Sequence, residues 1–157
     1  MTIDVLLSGF SPFAGAAVNE SREIVALASP MLRERGLAGV DLELPVEFGR
    51  AGELLAAALR EHRPRLVIAT GLAAGRSGIT PERVAVNVRD ARIPDNAGAS
   101  PLDEPVVAGA PVGYFSSLPI KAMVAALSDE GVPGSVSQTA GTYVCNDVFF
   151  QLQHLLA

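Results

Sequence analysis

Val5-Leu6-Leu7-Ser8-Gly9-Phe10 is the stretch that decides the fold. It is a short, continuous apolar run that drops into a Gly/Pro loop, Ser11-Pro12-Phe13-Ala14-Gly15, and reads as a fully buried strand. Strands of this kind sit in the middle of a mostly parallel sheet with helices on both faces. The segments that follow agree. Asn19 is a suitable N-cap for a helix carrying Ile24, Val25, Leu27 and Ala28 on its inner side. Val40 to Val46 alternates, with Val40, Leu42 and Leu44 on one face and Asp41 and Glu43 on the other, which predicts a half-exposed strand towards a sheet edge. Residues 49–62 place Leu54, Leu55, Ala58 and Leu59 at helical spacing, and Arg63-Pro64 ends that helix. Leu66-Val67-Ile68-Ala69-Thr70 is a second apolar strand.

Beyond Gly71-Leu72-Ala73-Ala74-Gly75-Arg76 the alternation of Val84 to Arg89 predicts another strand, continued in extended form from Ala91 to Asn96. A Gly- and Pro-rich stretch from Gly98 to Gly113 is long enough to be a functional loop or an oligomer contact. A helix beginning near Leu118-Pro119 puts Ile120, Met123, Val124 and Leu127 on one side and stops at Gly131-Val132-Pro133. Gly134 to Thr139 reads as a strand. A final helix starts near Cys145 and is expected to bury Val148, Phe149, Leu152, Leu155 and Leu156. The order predicts a single-domain α/β/α sandwich over residues 1–157 with a mostly parallel, phosphorylase/hydrolase-like sheet. No repeat or linker interrupts it. The last helix runs to residue 157 without a C-cap, so the natural chain is expected to continue.

Composition narrows the function. The chain has 157 residues and a net charge of −5, which gives no electrostatic footprint for nucleic acid or an anionic membrane. Mean hydropathy is positive, yet charges or turn residues interrupt every apolar run well short of a membrane span. Met1-Thr2-Ile3-Asp4 offers no basic leader, and one cysteine suits a reducing compartment, so a cytoplasmic location is expected.

That cysteine, Cys145, follows a predicted strand and opens a helix. Ligands of open α/β sheets sit beyond the carboxyl ends of the strands, which is where it should stand. Unpaired N–H groups and the positive end of a helix favour a thiolate, and an imidazolium partner would favour it further. On position alone, a buried cysteine filling a strand–helix turn is an equally good reading.

The motifs around it resemble a known family. Gly9-Phe10-Ser11-Pro12-Phe13, Gly71-Leu72-Ala73-Ala74-Gly75-Arg76-Ser77, Pro81-Glu82-Arg83-Val84-Ala85-Val86-Asn87 and Asp90-Ala91-Arg92-Ile93-Pro94-Asp95-Asn96 are similar to pyroglutamyl-peptidase I. So are Asp103-Glu104-Pro105-Val106-Val107, Tyr114-Phe115-Ser116-Ser117-Leu118-Pro119-Ile120-Lys121 and the block from Ser137 to Asn146. Any one block is weak; seven in the family's order are specific. The resemblance implies a cysteine peptidase, also called pyrrolidone-carboxylate peptidase. Such enzymes remove an N-terminal pyroglutamate from peptides with a Cys-His-Glu triad and no metal or other cofactor.

The roles it implies fall on particular residues. Cys145 matches the nucleophile that forms a thioester, and Glu82 the acid that orients the catalytic imidazole. Arg92 matches an arginine beside the oxyanion hole, to which the Cys145 N–H would also donate. Phe10 and Phe13 match the aromatic walls around the lactam ring, with Tyr143 and Val144 lining it further. Leu72 stands where some relatives carry Gln. An apolar slot of this kind would accept the neutral lactam and reject a free N-terminal ammonium, whose desolvation is costly. Asn19 is expected to cap a helix and hold the Phe-bearing loop.

The resemblance places the catalytic histidine beyond residue 157. His154, nine residues along the helix from Cys145, is about 13 Å away along its axis, and His62 precedes a strand at the far edge of the sheet. Neither is expected to serve as the base. The expected function is therefore a pyroglutamyl exopeptidase whose histidine lies outside these residues. The alternatives are a catalytically silent truncated form, or a protein that binds pyroglutamyl groups without hydrolysis. A nucleoside phosphorylase would share the general architecture, but no phosphate-binding signature supports one. Expected partners are peptides with N-terminal pyroglutamate and further copies of the chain, commonly as a homotetramer in the family.

Overall fold

The structure, a computed structural model, describes residues 2–157. These residues group into two compact units, the first running to Leu72 and including Arg92–Ser100, the second comprising Ala73–Ala91 and Pro101–Ala157.

The first unit is built on β1 (Val5–Phe10), every residue of which is buried, as its apolar composition predicts. It lies between β2 (Gly39–Leu44) and β3 (Leu66–Ala69) in a parallel sheet, with Val5 opposite both Gly39 and Leu66. In β2, Asp41 and Glu43 are exposed while Leu44 is buried, so the alternation reports its half-covered position correctly. Helix α1 (Glu20–Glu34) packs Val25 against Val5 and Leu7, with Ala28 and Leu32 at the margin; it runs through Pro30, further than the apolar spacing marks. Helix α2 (Arg50–His62) buries Ala51, Leu55 and Ala58 and ends at Arg63 in a left-handed conformation, immediately before Pro64.

β1 and the start of α1 touch backbone to backbone. A Cβ on Gly9 would come within 2.5 Å of the Ser21 carbonyl oxygen, so only glycine fits there. The expected cap is present: Asn19 Oδ1 accepts from the N–H and the hydroxyl of Ser21, at 3.1 and 2.8 Å. Its Nδ2 donates to the Ser11 carbonyl at 3.1 Å, tying the Phe-bearing loop to the helix. The stretch from Ala91 to Asn96 is not an extension of a strand. It is a loop folded around the buried Asp95 carboxylate, which accepts from the N–H groups of Phe48, Ala97 and Ala99 and so competes with any ladder.

In the second unit β4 (Val84–Val86) and β5 (Gly113–Phe115) pair antiparallel, and α4 (Val144–Leu156) packs on both. The core joins Ala85, Val106 and Phe150, with Tyr114 and Phe149 at its edge. The strand predicted to reach Arg89 stops at Val86, because the Asn87 side chain turns to bond the N–H and C=O of Val107. Helix α3 (Ile120–Asp129) has no fully buried residue. The predicted strand from Gly134 to Thr139 is also absent. Only two isolated parallel bridges form, Ile79 with Gly134 and Glu82 with Ser137. Pro81 and Pro133 lack the N–H groups a continuous ladder needs. In α4, Val148, Phe150 and Leu152 are buried and Phe149 is half-buried, but Leu155 and Leu156 are exposed, contrary to expectation. The last turn carries the apolar face past the edge of the core it should cover. None of the described helices is long and apolar enough to cross a membrane.

Candidate active site

Cys145 is the second residue of α4, whose first turn is anchored by its neighbours rather than by a side-chain cap. Asn146 is fully buried: its Oδ1 accepts from the Val86 N–H, and its Nδ2 donates to the carbonyls of Val86 and Val88. Asp147, also fully buried, pairs with Arg89 and accepts from Gln151. The start of the helix is thus fastened to β4 and the segment behind it.

The loop entering the helix is fixed as well. Ser137 Oγ donates to the Thr139 carbonyl, the Gly141 N–H donates to Thr139 Oγ1, and Thr142 exchanges two bonds with the backbone of Asp90. Gly141 has φ +76°, which explains a glycine three residues before the helix.

Glu82 stands beside this loop through its parallel bridge to Ser137. Its Oε1 accepts from Arg76 Nη1 at 3.0 Å. Its Oε2 is buried and has no hydrogen-bond partner among the described residues. The carboxylate is therefore no freely solvated loop acid.

The structure brings Cys145 and Glu82 within electrostatic range of each other. Burial pushes the half-buried Cys145 thiol up to about 11, the nearby negative charge of Glu82 adds to the rise, and only a backbone hydrogen bond opposes them. Burial and the neighbouring carboxylate thus outweigh the ionisation that the helix start favours. One N–H cannot offset both the loss of water and a neighbouring carboxylate. Tyr143 is half-buried, whereas the Val144 side chain is fully buried at the base of the helix.

The other predicted residues belong to the first unit. Phe10 closes β1, 3% exposed, with its N–H donated to Ser21 Oγ. Phe13 is half-buried in the following loop, Leu72 is half-buried, and Arg92 is exposed. Neither histidine is placed as a base for Cys145. His154 Nδ1 lies 2.7 Å from the Tyr114 hydroxyl and its ring stacks on Phe150, while His62 ends α2 beside Glu61. No cluster of three or more His, Cys, Asp or Glu suited to a metal occurs among the described residues.

Residues 3–157 match the family model described as pyroglutamyl peptidase. The chain belongs to the pyroglutamyl peptidase family. Its similarity to individual members is high. It is 54% identical over 153 residues to the pyrrolidone-carboxylate peptidase of Klebsiella pneumoniae, covering 97% of this chain and 71% of that one. With the Streptomyces coelicolor pyrrolidone-carboxylate peptidase the identity is 52% over 155 residues, covering 98% and 70%. Among solved structures, pyroglutamyl peptidase I from Bacillus amyloliquefaciens superposes with a TM-score of 0.93 at 42% identity, over 98% of this chain and 74% of that one. The α/β architecture with a mostly parallel sheet is that of the family.

Arg76, Arg89, Asn146 and Asp147 escaped the sequence reading as site residues. The polar pair Asn146-Asp147 at the head of an otherwise apolar helix was the available signal for two of them, since such residues are buried only when something holds them.

Proposed function

We propose that the chain acts as a cysteine exopeptidase that removes N-terminal pyroglutamate from peptides. The Cys145 sulfur attacks the pyroglutamyl carbonyl, the C–N bond to the next residue breaks, and the released amine takes a proton. Water then cleaves the thioester, freeing pyroglutamate and restoring the thiol. Glu82 orients the imidazole that removes the thiol proton. Arg92 and the Cys145 N–H stabilise the oxyanion. Phe10, Phe13, Leu72, Tyr143 and Val144 form the slot for the lactam.

One observation carries the reading: Cys145 stands at the head of α4 within reach of the field of Glu82, whose second oxygen is buried and unpartnered. A thiol at about 11 leaves only about one molecule in ten thousand ionised at pH 7, so a base is required. With His154 held by Tyr114 and distant along its helix, that base is proposed to be an imidazole from outside these 157 residues. Because neither described histidine is placed beside Cys145, a second reading is a catalytically silent form that binds pyroglutamyl groups without cleaving them. Hydrolysis of a pyroglutamyl chromogenic amide, abolished by Cys145→Ser, supports the peptidase; binding without turnover supports the second reading, and undiminished turnover in the variant refutes both. We place the protein in the cytoplasm as a homo-oligomer, readings that rest on the family resemblance and the single thiol.

A further inference from the structure

Arg76 makes an unusual contact with Glu82. Guanidinium and carboxylate groups commonly meet fork to fork, with two parallel bonds that occupy both carboxylate oxygens. Here Nη1 reaches only Oε1, at 3.0 Å, and also donates to Thr80 Oγ1 at 2.7 Å. Nη2 is turned away to the carbonyl of Thr139, at 3.4 Å. The outcome is a carboxylate with one oxygen fixed and the other buried without a partner. An ion pair serving stability alone would engage Oε2 as well, because a buried acceptor left unpaired is costly.

We infer that Arg76 is the positioning residue of the site: it fixes the Glu82 carboxylate through Oε1 and leaves Oε2 unengaged as the acceptor for an imidazole N–H. The inference rests on the role proposed for Glu82. The same guanidinium binds Thr139, in the loop that leads into Cys145, so it ties the carboxylate to the segment that carries the nucleophile. Arg76 lines an open groove of about 620 Å³ with Thr80, Ser135 and Gln138, so its head is not locked in a core where shape alone would require it. Lysine, with one nitrogen, cannot hold Glu82, Thr80 and Thr139 in this planar arrangement.

The test is a double-mutant cycle read at the thiol, which needs no turnover. Cys145 is the chain's one cysteine, so the pH profile of its alkylation by iodoacetamide reports this site alone. Glu82→Gln is expected to move that profile to lower pH by about one unit in the presence of Arg76. In Arg76→Gln the same substitution is expected to move it by less than half as much, and in Arg76→Lys by an intermediate amount. An equal displacement in all three backgrounds overturns the inference, provided urea midpoints show them folded; if Arg76→Gln does not fold, Arg76→Lys decides alone.

Turnover of the pyroglutamyl amide separates this inference from the reading beneath it. Arg76→Gln is expected to lower kcat at least tenfold with KM within twofold, and to add nothing in the Glu82→Gln background. Full activity of Glu82→Gln refutes the role of Glu82 and this inference with it. An inactive Glu82→Gln beside a fully active Arg76→Gln overturns the inference alone.

Discussion

Arg89 Nε lies 2.5 Å from Oδ1 of Asp147, a carboxylate with no exposed surface two residues past Cys145. A buried ion pair is poor evidence of net stabilisation, but removing one partner leaves the other charge stranded. Arg89→Ala is therefore expected to lower stability by about 3 kcal/mol, the low end of the usual range because Gln151 still donates to Oδ2. Urea denaturation followed by circular dichroism checks this. A change under about 1 kcal/mol would mean that water replaces the guanidinium without difficulty.

Asn146 should matter about as much without carrying a charge. Its side chain satisfies three backbone groups, the N–H and C=O of Val86 and the C=O of Val88. Asn146→Ala leaves them unpaired at the base of α4, and a loss of about 2–4 kcal/mol is expected. The urea midpoint measures it.

Cys145 makes stability depend on alkaline pH. Its thiol ionises at about 11 in the folded chain against an ordinary value of 9.0, so folding favours the neutral form. That contribution is complete below pH 9 and is lost as pH rises from 9 towards 11. Between those limits the wild type should lose about 2–3 kcal/mol more than Cys145→Ala, whose comparison cancels the other titrating groups. Parallel urea curves at pH 8.5 and 11 read the difference, and identical losses would contradict it.

Gly9→Ala should part β1 from α1, since the new methyl meets the Ser21 carbonyl oxygen at 2.5 Å and backbone cannot swing aside. A cost of about 2 kcal/mol corresponds to a melting temperature lower by about 4–8 °C in a domain of this size. Calorimetry would show it.

Local chemistry made some of these features readable in advance and hid others. Asn19 was recognisable as a cap because its side chain suits that one position and a helical apolar spacing follows it. The run from Val5 to Phe10 was equally plain, since only a strand covered on both faces uses so many apolar residues in succession. The strand expected from Gly134 to Thr139 failed because its partner segment carries Pro81, and pairing is a property of two segments at once. Leu155 and Leu156 failed because periodicity gives the face of a helix but not where the core beneath it ends. Of the candidate site, Cys145 and Glu82 were named through the family's motifs. Arg76 and Asp147 were overlooked because a charged residue ordinarily reads as solvated surface, and their roles depend on partners far along the chain.

The Asn19 side chain has a consequence for recognition. By bonding both Ser21 and the Ser11 carbonyl, it makes the Phe10–Phe13 loop and the first turn of α1 a single cooperative piece, which cannot fray separately. On the role proposed for these rings, the ligand would meet a loop already ordered when the chain folded, so little conformational entropy would remain to be lost on binding. On that proposed role, replacing Asn19 would weaken affinity by loosening a loop that the ligand contacts, although the Asn19 side chain itself need never touch the ligand.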